Sequence, residues 1–146
     1  MATFSRHAVL EWTGEVTSGT GVVRAGSDSF TVGATFPSTG GEAPSLTTPE
    51  ELLAASHAVC FGIGLRGLIA RRGGHARRVT VTATITADKG RDGIRIQTAH
   101  LEAVVTELVG ISDAQLMEIN KAVEEGCTIS FALRGNVAVT SRVSAE

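Results

Sequence analysis

Residues 52–70, LLAASHAVCFGIGLRGLIA, are apolar on nearly every face of a helix, and no other stretch constrains the fold as much. The run opens behind a strong helix start: Thr48 fits the N-cap, Pro49 the first helical position and Glu51 the third position of a capping box. A helix that is apolar all round is buried, at the centre of a soluble protein or in a bilayer, and the run approaches the roughly 20 residues of a membrane span. His57, Arg66 and the glycines Gly62, Gly64 and Gly67 count against the bilayer, as do the amphipathic strands around it. The expectation is a long central buried helix with no membrane contact. Each glycine costs a helix interior roughly 1 kcal/mol relative to alanine. Three of them predict that something packs very close to this helix, such as a second copy of it.

The rest of the chain alternates with period two. HAVLEWTGEV places Ala8, Leu10 and Trp12 on one face, GTGVVRAG reads as a second strand, and SFTVGATF aligns Phe30, Val32, Ala34 and Phe36 as a third. The polar stretch PSTGGEAPSLT, residues 37–47, reads as a loop. Beyond RRGG, RVTVTATITAD points Val79, Val81, Ala83 and Ile85 inward and its threonines outward, giving a sheet with one dry face. The next strand changes face between Ile96 and Leu101, which predicts a bulge near residues 98–100. A second helix begins at Ser112 with Gln115 in capping-box position, carries Leu116, Ile119 and Val123, and ends at Gly126. NVAVTSRV supplies a last strand. This order predicts an α+β fold in a single domain spanning residues 1–146.

With 146 residues and 42% hydrophobic content, the chain can bury a core of its own. Its net charge of −2 and the absence of a basic stripe interleaved with aromatics argue against nucleic acid as a partner. The cluster Arg71, Arg72, Arg77 and Arg78 reads as a solvated corner that also favours the helix C-terminus. The N-terminal MATFSRHAVLEW has no signal-type apolar core, so a cytoplasmic location is expected. Two cysteines, Cys60 and Cys127, admit one intrachain pair, and in a reducing compartment such a pair is more often transient or catalytic than structural. Two inert buried thiols are the plainer alternative. Zinc-type CxxC or HxxxH spacing is absent, and no nucleotide-binding fingerprint occurs, so neither metal nor cofactor is expected. His57, three residues before Cys60 and on a neighbouring helical face, is placed to act on the thiol or to serve as a core histidine.

TTPEELLAASHAVCF resembles the signature of the OsmC/Ohr family, the osmotically inducible and organic-hydroperoxide-resistance proteins, and EEGCTISFAL resembles that family's second cysteine segment. EWTGEVTSGTGVV and HAVC are similar to the OsmC branch in particular. The resemblance implies antiparallel sheets around a long central helix, an intertwined homodimer, and a thiol peroxidase acting on organic hydroperoxides without a cofactor. It implies that Cys60 is the peroxidatic and Cys127 the resolving residue, that Glu50 is the active-site glutamate, and that a dithiol of lipoyl type is the reductant. On one unbroken helix Glu50 and Cys60 lie roughly 15 Å apart, so they share a site only through a break in the helix or across a dimer. The family's thiolate-stabilising arginine aligns with Thr35 or with Gly19, depending on the branch, and neither is arginine; Arg24 is the nearest candidate. That departure supports an alternative, a divergent member that binds a small apolar ligand or senses redox state without efficient turnover.

Overall fold

The computed structural model describes residues 1–36 and 45–146; most of the expected 37–47 loop lies outside them. The chain forms two compact units, Met1–Leu52 and Leu53–Glu146.

The first unit is a three-stranded antiparallel meander of β1 (Ala8–Thr13), β2 (Thr20–Ala25) and β3 (Thr31–Ala34). Its register sets Trp12 opposite Gly21 and Val23 opposite Val32. Gly21 has to lack a side chain, because a Cβ there would come within 2.7 Å of Leu10 Cδ1 and 2.8 Å of Trp12 Cε3. Asp28, in the left-handed region at φ 58°, turns β2 into β3.

The helix α1 (Pro49–Arg71) starts as its sequence dictates: the Thr48 hydroxyl accepts from the Glu51 amide, while the Glu51 carboxylate accepts from the Thr47 hydroxyl. It ends in a Schellman motif. The Gly74 amide donates to the Ile69 carbonyl, the Gly73 amide donates to the Ala70 carbonyl, and Gly73 sits at φ 79°. By length and composition α1 passes for a membrane span, yet it is not buried all round. His57, Phe61, Leu65 and Ile69, spaced by four, are buried, whereas Val59 and Ile63 are 61% and 70% exposed. Apolar content alone does not say which face finds a partner within the chain, and only one stripe does.

That stripe builds the core of the second unit with Leu101, Ala103, Val105, Leu116, Ile119 and Val123. The sheet behind it has the order β4 (Arg78–Gly90), β5 (Gly93–Thr106), β6 (Ala138–Ala145). The inward valines and alanine of β4 pack against the core as the alternation predicts. Opposite the step from Thr86 to Ala87, β5 passes from Thr98 to Ile96, so Gln97 is the extra residue, just before the expected 98–100 bulge. β6 runs parallel to β5, so this sheet is mixed, where antiparallel sheets are expected. The reason is the crossover: α2 (Asp113–Gly126) and a short α3 (Thr128–Leu133) return the chain to the edge where β5 began. α2 carries the full Ser112–Gln115 capping box.

Two of the three glycines of α1 make their close approach inside the chain. A Cβ at Gly62 would lie 3.3 Å from Val81, and one at Gly64 would lie 3.2 Å from Val123, while at Gly67 nothing stands within 4 Å. Gly74 is tighter still, since a Cβ would meet Ile111 Cγ1 at 2.3 Å and Ile69 Cγ2 at 3.0 Å. Gly74→Ala is expected to lower the unfolding free energy by about 1–3 kcal/mol through overpacking, read as a fall in the urea midpoint. An unchanged midpoint would mean that Ile111 yields freely.

Candidate active site

Cys127 is held by two helices at once. Its amide donates to the Val123 carbonyl, closing α2, and its carbonyl accepts from the Phe131 amide, opening α3. Its extended backbone, φ −68° and ψ 122°, is the hinge between them. On α1, Cys60 immediately precedes Phe61 of the buried stripe. The two sulfurs, 67 residues apart in sequence, are 2.8 Å apart in space, and both thiols are free. The pair expected from the sequence is therefore brought together. Cys127 is buried and Cys60 is half-buried.

Either thiol can donate across that gap, and the surroundings decide which does. Burial pushes the Cys60 thiol up, and the hydrogen bond with Cys127 pushes it further; backbone amides of Ile129 and Thr128 offset part of this. Burial would raise Cys127 too, but the hydrogen bond from Cys60, the Ser130 amide and hydroxyl, and the Ile129 amide outweigh it and bring this thiol below its ordinary value. The surroundings thus push the Cys60 thiol up and the Cys127 thiol down.

Beside the thiols, His57 and Ser130 are fully buried, and His57 Nε2 lies 2.7 Å from Ser130 Oγ. The imidazole Nδ1 is buried without a partner among the described residues. Burial pushes His57 below its ordinary value, against the pull of the Glu124 carboxylate. Ser130 escaped the sequence reading, though a signal existed: H-x-x-C at 57–60 is mirrored by C-x-x-S at 127–130.

A groove of about 530 Å³ runs from the two cysteines between Ile63 and Leu68 of α1 and Ala122 and Val123 of α2. Gly67 and Gly126, where a side chain would meet nothing within 4 Å, leave it open. Arg71 lines the same groove. Among the arginines read as a solvated corner, Arg72 and Arg77 form surface ion pairs with Glu118 and Glu107, and Arg71, exposed in the last turn of α1, also lines this groove. Arg24 is exposed on β2. Glu50 stands in the first turn of α1, in the N-terminal unit, and its Oε2 is buried with no partner among the described residues. No group of three or more His, Cys, Asp or Glu placed to hold a metal occurs among the described residues.

Residues 40–142 match the family model for OsmC-like protein. The chain belongs to the OsmC-like family. It is 26% identical over 137 residues to the peroxiredoxin OsmC of Escherichia coli, covering 94% of this chain and 95% of that protein. Its fold is similar to that of an organic hydroperoxide resistance protein OsmC from Legionella pneumophila, at 23% identity and a TM-score of 0.76, with 99% of each chain covered. An organic hydroperoxide resistance protein from Elizabethkingia anophelis is similar at 23% identity and a TM-score of 0.79, again over 99% of each chain. Relatives of this OsmC-like chain thus carry peroxiredoxin and hydroperoxide-resistance names, and its α+β architecture is theirs.

The buried histidine has a consequence for stability. Its folded value lies below its unfolded one, so below about pH 6.5 the unfolded chain binds a proton that the folded chain resists. Stability from this source is present above that pH and is lost as pH falls toward the folded value. Urea midpoints measured at stepped pH are expected to fall over this window in the wild type and to lose that component of the slope in His57→Gln. Equal slopes in the two proteins would contradict it.

Proposed function

We propose that the chain is a cysteine-based peroxidase that reduces organic hydroperoxides in a two-thiol cycle. The observation that carries this reading is the 2.8 Å separation of two free sulfurs at the end of an apolar groove. Cys60, the more exposed of the two, is the attacking residue. The Cys60 thiol gives up its proton, its sulfur bonds to the peroxide oxygen that carries hydrogen, the O–O bond breaks, and the alkoxide leaves with the electron pair and takes up a proton to become an alcohol. Cys60 is now a sulfenic acid. Cys127 attacks it as a thiolate, the S–S bond forms, and hydroxide leaves and takes a proton from solvent as water. A dithiol reductant of lipoyl type then restores both thiols by exchange.

The apolar groove walls support organic hydroperoxides over hydrogen peroxide as substrates. Glu50 is read as an active-site residue from its family position, and its unpartnered buried oxygen suits a carboxylate awaiting a cation. A homodimer is supported by the exposure of Val59 and Ile63 on α1, and of Leu10 and Val22 in the N-terminal sheet. Two free thiols suit a reducing compartment, here the cytoplasm. A second reading, redox sensing or apolar-ligand binding without efficient turnover, is favoured by two observations: neither Thr35 nor Gly19 supplies the family's arginine, and burial pushes the Cys60 thiol up.

With a dithiol present, the purified protein is expected to consume an organic hydroperoxide faster than hydrogen peroxide. Cys60→Ser should abolish consumption, and Cys127→Ser should leave a sulfenic acid that forms no intrachain disulfide. A Cys60→Ser variant with full activity would sink the reading, and a folded wild type with no turnover would select the sensing alternative. Light scattering is expected to give the mass of two chains; a mass of one would remove the dimer.

A further inference from the structure

The groove beside the cysteines carries a charge that the two-thiol cycle leaves unused. Cys60 and Arg71 both line it, and both belong to α1, eleven residues apart (71 − 60). Eleven residues are three helical turns to within about 20°, so the two share a face of α1, about 16 Å apart along its axis. Long side chains on a helix lean toward its N-terminus, so the Arg71 guanidinium reaches back along the groove toward the sulfur. Between the two ends the walls are apolar, with Ile63 and Leu68 on α1 and Ala122 and Val123 on α2. Gly67 and Gly126 leave room there, since a Cβ at either would meet nothing within 4 Å. Among the described residues Arg71 is the one charged side chain lining the groove, and no Asp or Glu lines it. Its neighbour Arg72 is held by Glu118 at 3.2 Å, whereas Arg71 has no ion-pair partner among the described residues.

We propose that Arg71 is a specificity-determining residue that selects substrates with an anionic head, and that the groove takes a long-chain aliphatic carboxylate whose peroxide end lies at Cys60. Each part of such a ligand finds its match. The carboxylate accepts from the guanidinium, a planar pairing of two parallel N–H···O bonds that suits arginine in particular. The alkyl chain lies along the apolar walls, and a groove of about 530 Å³ is of the size that holds a small-molecule ligand. A gap of about 10–16 Å between guanidinium and sulfur corresponds to roughly eight to twelve C–C bonds, each about 1.5 Å and laid in a zigzag. A short neutral hydroperoxide reaches Cys60 without touching Arg71, and an esterified chain keeps the apolar contacts but loses the charge. The C-terminal end of a helix disfavours an anion, but the carbonyls of Ile69 and Ala70 there already accept from the Gly74 and Gly73 amides. The direction of the bound chain rests on the peroxidase reading; the anion site at Arg71 does not.

Two measurements separate the two claims. The first is kcat/KM for a fatty-acid hydroperoxide against its methyl ester, at low ionic strength and below micelle-forming concentrations. The wild type is expected to prefer the free acid by about fivefold, the contribution of one well-formed but exposed ion pair, and added salt should erode that preference. Arg71→Gln should remove it, Arg71→Glu should invert it and Arg71→Lys should keep part of it, while Arg72→Gln should leave it in place. A preference that survives Arg71→Gln would overturn the proposal. Equal rates for acid and ester in an active wild type would also overturn it, and would leave the peroxidase reading standing. The second measurement is calorimetric binding of the unreactive parent fatty acid to the wild type and to Arg71→Gln, without peroxide. A dissociation constant raised about fivefold in the variant supports the site, and an unchanged one ends it. Arg71-dependent binding in a protein that turns over no hydroperoxide would retire the proposed function and keep the anion site.

Discussion

Burial of a single stripe, His57, Phe61, Leu65 and Ile69, is the constraint on which the second unit depends. Each large apolar side chain in it contributes roughly 1.5–3 kcal/mol on burial, and together they fix the rotation of α1 about its own axis. One residue along a helix is about 100° of rotation, from 3.6 residues per turn. With Phe61 committed to the core, Cys60 has no freedom to choose its direction. It faces the junction of α2 and α3, where Cys127 waits between two helices. The same stripe carries His57 inward, so the packing that builds the core also delivers the imidazole to Ser130.

Much of this was legible in the sequence where the signal is local. The Thr48 and Ser112 helix starts, the alternation of β4 and the stop at Gly73 and Gly74 follow from hydrogen-bond geometry within a few residues. The bulge was displaced to Gln97 because the change of face marks a region, while ladder pairing selects the residue. α3 was not legible: it is six residues long, and its N-cap is a cysteine, which lacks the oxygen that usually signals a cap. The direction of β6 was hidden as well, since alternation reads the same in a parallel and an antiparallel strand. At the site, the pairing of Cys60 with Cys127 came from resemblance, and the His57–Ser130 contact spans 73 residues that no local pattern bridges.

The electrostatics of the pair differ from what an arginine beside Cys60 would give. Thr35 and Gly19 offer no cation, and Arg24 is exposed in its own unit. In their place, amides of the first turn of α3 and the Ser130 hydroxyl favour the charged form of Cys127. The two sulfurs sit in unlike surroundings: Cys60 is the more exposed, and Cys127 is the one whose charged form its neighbours favour. One hydrogen bond between the sulfurs couples the two properties.

The sequence separation of the two cysteines also bears on redox poise. A disulfide between them would close a loop of 67 residues, which in the chain-entropy picture stabilises the folded state by about 4 kcal/mol. By linkage the fold stabilises the disulfide by the same amount. At about 30 mV for each 1.4 kcal/mol, that places its reduction potential roughly 90 mV below that of the same bond in the unfolded chain. The long excursion of the chain between α1 and α3 thus makes the bridge far easier to form and keep in the folded protein than in the unfolded chain.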